Sequence, residues 1–371
     1  MDEYDFSLLI SDIEMKLIRK MKANMEKYIK NEEFQSKKDW NRWQIEQLRA
    51  IDNFKRANKN LLKGDFKEVK KELEQFLIEN YNNGLKDEEK AILSAIANGE
   101  DLKRPNTTLF YALNSNRFKA ILEEANKVVD KVEIAILRST NDIYRQVISQ
   151  CSITAATGTP IWQCVDEAVE KFTRNGISKV TYEDGRNINI ASYSEMAIRT
   201  SATRSSTIAQ ADLRESVGNK LVIISKYNGC SPLCWHVQGK VFFDDTYSTY
   251  TKEELEENKY PLLSQAMDGT LGYLFHPNCR HSISSFYPGI TKVEDVEIDK
   301  EENDERYKLE QQQRSLERKI RDAKKKKTLA LTEEYKNKYD KQIKTLQARQ
   351  RELVSSHDFL RRDYAREKVR V

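Results

Sequence analysis

Apolar residues recur at three- and four-residue spacing through most of the first 150 positions. Leu8, Leu9, Ile13, Leu17 and Ile18 form one stripe, and Val69, Leu73, Phe76 and Leu77 another. That spacing belongs to helices burying one face. Breakers are few, with Pro105, Gly64, Gly84 and Gly99 the only prolines and glycines there. The pattern predicts an antiparallel set of helices joined by polar loops near residues 31–38 and 82–87. Trp40 and Trp43 share one predicted helical face and read as packing anchors.

From Cys151 the texture changes. Thr157-Gly158-Thr159-Pro160 reads as a turn with proline at a first helical position. The following helix carries Ile161, Val165, Ala168, Val169 and Phe172, and Gly176 closes it. Val180 and Tyr182 on one arm, with Ile188 and Ile190 on the other, flank Asp184-Gly185 and predict a β-hairpin. A Ser/Thr/Ala-rich helix is expected over 192–215, ended by Gly218. Strands follow at 221–224 and 241–243, then a polar insertion over 244–265. Beyond Gly289 there is neither glycine nor proline. Leu309, Leu316, Ile320, Tyr335, Tyr339, Ile343, Leu346 and Leu353 mark an amphipathic helix or helical hairpin with coiled-coil spacing. The lysine run 324–327 marks its expected bend, because adjacent like charges weaken packing. The fold expected is mainly α with a small α+β central domain. Long helices stand at both ends, and the centre carries a β-hairpin and a Cys/His metal knuckle. The boundaries fall at 1–148 for the N-terminal helical region, 149–292 for the central domain and 293–371 for the C-terminal basic amphipathic helices.

Composition agrees with extended, solvated helices: 33% of residues are charged and 39% hydrophobic, against about 25% and 45–50% in average domains. A net charge of +4 does not by itself indicate a nucleic-acid binder. Its distribution says more. Residues 306–371 hold 21 Lys/Arg against 10 Asp/Glu, which leaves the remainder net negative. A basic tail of this kind reads first as a solvated helical face, and it could also touch phosphates or an acidic protein. No run of 18 apolar residues exists to span a membrane, and the acidic start MDEYDFSLLISDIEMK lacks the pattern of a signal peptide. The five cysteines are therefore read in a reducing compartment, where metal binding is favoured over a disulfide.

Three of the four histidines and three of the five cysteines lie between residues 230 and 281. The local patterns are Cys230-Ser-Pro-Leu-Cys234 and His276-Pro-Asn-Cys279-Arg-His281. Zinc takes four thiolate or imidazole ligands tetrahedrally, and short Cys-x₂₋₄-Cys knuckles place two sulfurs on one ion. Gly229, Pro232 and Pro277 suit the tight turns such knuckles need. Cys230, Cys234 and Cys279 are the firm ligand candidates, and the fourth position is open between His276 and His281. His236, beside Trp235, is the weakest candidate. A closed set of four implies a structural zinc. Cys151 and Cys164 sit among apolar residues and read as packing. No Walker-type loop and no Gly-x-Ser-x-Gly element is present. A metal-dependent nuclease or hydrolase would need an open site with carboxylates, and Asp244 and Asp245 are the nearest acids in sequence. The chain is thus read as a non-enzyme with no small-molecule substrate. The rivals are that hydrolase and a DNA-binding zinc module with a basic helical tail.

Several blocks in order resemble the phage minor capsid protein 2 family. They are the decapeptide Ser149 to Gly158 (SQCSITAATG), Ile161-Trp-Gln163, Phe172 to Ser178 (FTRNGIS), Tyr193 to Thr200 (YSEMAIRT), Cys230 to Cys234, Gln238 to Val241 (QGKV) and Leu274 to Ser282 (LFHPNCRHS). The late His-Pro-x-Cys-Arg block is also similar to Mu-type head-morphogenesis proteins, which often carry a cysteine where His281 stands. The resemblance covers about residues 145–292, with Leu309 to Arg321 similar to the family's C-terminal helices. It implies a few-copy component of a tailed-phage head, made in the host cytoplasm and built into the virion near the portal. The implied partners are portal, coat or scaffold proteins, with non-specific contact to packaged DNA. No catalysis is implied.

Overall fold

The computed structural model describes residues 3–29, 37–154, 161–173, 179–181, 185, 187–293 and 297–369. The chain is mainly helical, with small antiparallel sheets. In order it forms α1 (Glu3–Ile29), α2 (Lys37–Ala97), α3 (Asn116–Thr154), α4 (Ile161–Phe172), β1 (Lys179–Thr181), β2 (Asn187–Asn189), α5 (Ile190–Glu215), β3 (Leu221–Ile224), β4 (Val241–Phe243), α6 (Lys252–Glu257), α7 (Leu263–Met267), β5 (Ile283–Ser285), α8 (Lys300–Leu329) and α9 (Glu333–Ser355). Among the described residues no helix is long and apolar enough to cross a membrane. The turn expected at Thr157–Pro160, the Gly176 stop, most of the 31–38 loop, Asp184 and the side chains of Trp40 and Trp43 lie outside the described residues.

Two compact units emerge, each assembled from separate stretches of sequence. The first comprises Lys70–Lys127 and Met196–Glu310, with the first three residues; the second comprises Tyr4–Val69, Val128–Glu195 and Gln311–Val371.

In the first unit the expected loop at 82–87 is absent, because α2 runs unbroken for 61 residues. Gly84 is there for contact rather than for a turn. A Cβ at this position would fall on the backbone of Ser206 in α5, 2.9 Å from its Cα. The adjacent Ser205 hydroxyl donates to the Leu77 carbonyl at 2.8 Å. Close helix approach here outweighs the helix-propensity cost of glycine, about 1 kcal/mol against alanine.

The sheet of this unit has the order β4-β3-β5, antiparallel throughout. The strands predicted at 221–224 and 241–243 are present, and β5 is an addition. Val222 and Ile224 alternate onto the buried face and join Phe242, Ile283, Leu263, Ala266, Val237 and Leu274 in one cluster. The stretch expected to be a polar insertion contributes to the interior. Asp244 is fully buried, accepts from Tyr247 N at 2.8 Å and Ser248 Oγ at 2.9 Å, and lies 2.5 Å from Arg214 Nη2. Arg214, with no exposed surface, also faces Glu88 of α2 at 3.8 Å, and Glu88 accepts from Ser285 Oγ of β5. Burial raises the Glu88 carboxyl above its ordinary range, opposed by the Arg214 charge.

The second unit buries Met15, Ile18, Met21 and Met25 of α1 against Ile51 and Phe54 of α2. Ile143, Tyr144, Val147, Ile148 and Cys151 of α3 complete the core with Cys164, Val165, Ala168 and Val169 of α4. Cys151 and Cys164 are buried thiols, and burial pushes the Cys151 thiol upward. The antiparallel pair β1–β2 sits where the alternation predicts a hairpin, with Val180 opposite Ile188. The bend expected in the lysine run lies instead at residues 330–332, after α8. Three of those lysines are engaged within the fold. Lys325 is buried against Glu14, Lys327 meets Asp340 at 2.7 Å, and Lys324 donates to the Glu367 carbonyl at 2.6 Å. The true bend is fixed by Asp166 of α4, which accepts from Leu331 N and Thr332 N, both at 2.8 Å, and from Thr332 Oγ1 at 2.6 Å. Ile320 and Ala323 of α8 then pack on Ile343 and Leu346 of α9, making the helical hairpin.

Two substitutions probe the first unit. Gly84→Ala is expected to lower the unfolding free energy by about 1–3 kcal/mol through overpacking against Ser206. Chemical denaturation measures it, and a stabilised variant would refute the close-approach account. Asp244→Ala leaves the buried Arg214 guanidinium with Glu88 at 3.8 Å in place of its close partner and is expected to cost about 3–5 kcal/mol, with the Arg214→Met, Asp244→Leu double variant recovering part of that loss.

Candidate metal centre

The sheet register brings the two halves of the Cys/His pattern together. β3 leads out to Cys230 and Cys234, and the loop returns to β4 with Gly239 N donating to the Ile224 carbonyl at 2.9 Å. His276, Cys279 and His281 lie on the segment entering β5, whose Ile283 pairs with Ile224. Neighbouring strand ends therefore hold both halves at one end of the sheet, and Ser225 N donating to the Ser282 carbonyl at 2.9 Å ties their bases.

Within this frame the donor atoms of Cys230, Cys234 and His281 lie within 4.8 Å of one another, as do those of Cys234, His276 and Cys279. Cys234 is common to both sets. Its sulfur is 3.7 Å from His276 Nε2, and the Cys279 sulfur is 3.5 Å from His281 Nδ1. A tetrahedral zinc with bonds of about 2.3 Å to sulfur and 2.0–2.1 Å to nitrogen requires sulfur–nitrogen edges of about 3.6 Å. Each histidine has one sulfur at about that distance, Cys234 joins the two triads, and the fourth position stays open between His276 and His281. His236 is exposed and belongs to neither set.

Each imidazole is oriented through its other nitrogen, as metal-bound histidines commonly are. His276 Nδ1 is 2.7 Å from the Pro277 carbonyl, while His281 Nε2 is 3.5 Å from Gln238 Oε1. Gln238 Oε1 also accepts from Tyr227 N at 3.2 Å, and the Tyr227 ring lies 4.7 Å from the His281 ring. His281 is buried and His276 half-buried.

The backbone bends sharply at these residues. Gly229, before Cys230, has φ 89°, and Phe275 and Asn278, before His276 and Cys279, have φ 59° and 72°. Asparagine tolerates this left-handed region, whereas for a bulky residue such as Phe275 it costs of order 1–3 kcal/mol. Surrounding bonds hold the strain in place: Leu274 N donates to the Ala266 carbonyl at 2.7 Å and Cys279 N to the His276 carbonyl at 2.8 Å.

The electrostatics favour a cation. The Cys230 contact and burial push the Cys234 thiol up to about 12, and the Cys234 contact and burial do the same to Cys279. The Cys234 hydrogen bond lowers Cys230. Three clustered thiols resist ionising together until a dication supplies the compensating charge. The soft sulfur-rich donor set suits zinc rather than a hard, carboxylate-bound ion. The carboxylates that a hydrolytic centre would recruit are engaged elsewhere. Asp244 is held on Arg214, and Asp245 accepts from Ser264 N at 2.9 Å and Ser264 Oγ at 2.5 Å.

Comparison with known proteins agrees with this reading of the sequence blocks. The profile described as phage minor capsid protein 2 matches residues 4–355. The chain belongs to the phage minor capsid protein 2 family. It is 25% identical over 236 residues to a structural protein of Lactococcus phage LL-H, covering 62% of each chain. It is also 32% identical over 114 residues to a structural protein of Lactococcus phage mv4, covering 30% of this chain and 93% of that one. The chain thus spans less than two thirds of the LL-H relative's length. No solved structure is significantly similar.

In this family member, sequence reasoning missed the residue that clamps the knuckle. Buried Asn303 of α8 accepts from Gly229 N at 2.7 Å and Cys230 N at 2.9 Å, and donates to the Cys230 carbonyl at 3.0 Å. It stands in the run Glu301-Glu-Asn-Asp-Glu305, where nothing in the local pattern distinguishes it from a solvated turn. Gln238, in the QGKV block, stands behind His281, a place that its local sequence pattern does not signal.

The donor set predicts about one equivalent of zinc per chain by elemental analysis of protein expressed with zinc, and less than about half would overturn it. Cys230→Ser should lose the metal and lower the Tm. Of His276→Ala and His281→Ala, only the variant lacking the fourth ligand should lose zinc to a mild chelator.

Proposed function

We propose that this protein is a minor structural component of a tailed-phage head, incorporated near the portal and beside packaged DNA. Cys230, Cys234 and Cys279, with His276 or His281, hold a structural zinc in it. The observation that carries this reading is the family correspondence, which extends from residue 4 to residue 355 and so takes in the long helices as well as the Cys/His segment. Its curated relatives are described as structural proteins of phages. A closed donor set adds to that support, because zinc fully ligated by protein offers no position for an attacking water. Bound there, the ion would supply cross-links to a region whose apolar cluster is small. The natural partners are other head proteins, portal, coat or scaffold, met by the long charged helices.

The test is incorporation. Purified phage particles washed with salt and detergent should retain the protein in a few copies, with chemical cross-links to the portal. A nonsense mutation in its gene should yield defective heads. Intact particles lacking the protein altogether would refute the reading.

A further inference from the structure

Much of the positive charge of the C-terminal region is used inside the second unit. Lys324, Lys325 and Lys327 have the partners described above. Arg321 donates to the Arg366 carbonyl, Arg362 forks onto Glu367 with both bonds at 2.7 Å, and Lys338 meets Glu170 at 2.7 Å. Of what remains, four cations stand together on one helix. Between Asp340 and Glu352, α9 carries Lys341, Lys344, Arg349 and Arg351 and no acidic residue. All four are exposed, while Tyr339, Ile343, Leu346 and Gln350 form the buried side of the same helix. At 100° per residue the four cations fall within the half-cylinder opposite that side. Small or uncharged residues, Thr345 and Ala348 among them, separate them and leave the face open.

We propose that this face of α9 binds the phosphate backbone of duplex DNA without reading its sequence. The inference rests on the head-protein reading and names the surface that would meet packaged DNA. From Lys341 to Arg351 the helix rises about 15 Å, a span over which duplex DNA carries roughly nine phosphate charges at about 1.7 Å each. Four cations can thus each find a phosphate. An acidic protein would need carboxylates placed to match this particular spacing, whereas the density of the duplex makes the match independent of register. The face carries no exposed aromatic side chain to stack on bases, which favours backbone contact over single-strand binding.

The full-length protein and a short random-sequence duplex provide the test, with affinity measured against salt. Four phosphate contacts give a log–log slope of about −3.6, and so roughly a hundredfold weakening between 50 and 200 mM salt. The quadruple variant K341Q/K344Q/R349Q/R351Q, checked for an unchanged unfolding transition, should flatten that slope to near zero. The charge-matched variant K55Q/K59Q/K63Q/K67Q removes four exposed lysines from α2 and should leave it nearly intact. Equal losses in both variants would overturn the proposal in favour of a diffuse field. Tighter binding to polyglutamate than to the duplex would overturn it in favour of an acidic protein partner, and no binding at low salt would overturn it outright. Incorporation into particles is measured separately, so a particle-borne protein whose α9 variant binds DNA like wild type defeats this inference alone. Absence from particles defeats the head-protein reading itself.

Discussion

A guanidinium with no exposed surface has to be matched by carboxylates, and that requirement at Arg214 organises the first unit. Its partners come from separate stretches of chain: Asp244 just past β4 and Glu88 in α2, with Glu88 also taking the hydroxyl of Ser285 in β5. Removing a charge from water costs several kcal/mol unless the match is good. The arrangement is therefore tolerated only when helix α5, helix α2 and the sheet are in register together. The sheet register in turn decides where the Cys/His segments emerge, because β3 and β5 are paired neighbours and each leads directly to one half of the cluster. The same logic reappears on a smaller scale at Asn303, whose amide satisfies three backbone groups of the Cys230 turn.

These constraints explain what could and could not be seen in the sequence. The helical stripes, the strands at 221–224 and 241–243, the β1–β2 pair and the gathering of Cys230, Cys234, His276, Cys279 and His281 were all legible, since each depends on short-range periodicity or on unusual residue clustering. Gly84 was misread as part of a loop because a glycine that permits contact with Ser206 looks, in sequence, like one that permits a turn. In sequence Asp244 reads as the start of a polar insertion and Arg214 as one more charge at the end of a helix. A buried ion pair and a solvated charge are written with the same letters, and only long-range packing separates them. The bend after α8 shows this most clearly: four adjacent lysines suggest repulsion until Glu14, Asp340 and the Glu367 carbonyl are found beside them.

The contrast between α8 and α9 follows from that point. Both helices are rich in cations, yet the end of α8 lies where acids and carbonyls from α1, α9 and the C-terminal segment converge, so Lys324, Lys325 and Lys327 act as internal ties. On α9 the cations sit opposite the apolar side, in an eleven-residue stretch free of acids between Asp340 and Glu352. Net charge over the whole tail hides this division, which is why a composition argument for nucleic-acid binding is weak when applied to the region and stronger when applied to one face.

A metal at the Cys/His cluster would answer a different deficit. The cluster around β3 is modest, and it must also stabilise two turns with left-handed residues, one of them Phe275. Strain of that order persists only where other interactions over-determine the backbone. Hydrogen bonds from Leu274, Cys279 and Asn303 contribute, and Tyr273 N donating to the Leu233 carbonyl at 2.9 Å is a direct backbone tie between the two segments. A single ion ligated from both turns would add a further tie, converting metal-binding free energy into folding free energy. On this argument the left-handed residues and the thiols would form one device: the bends aim the donors, and an ion bound there would hold the bends.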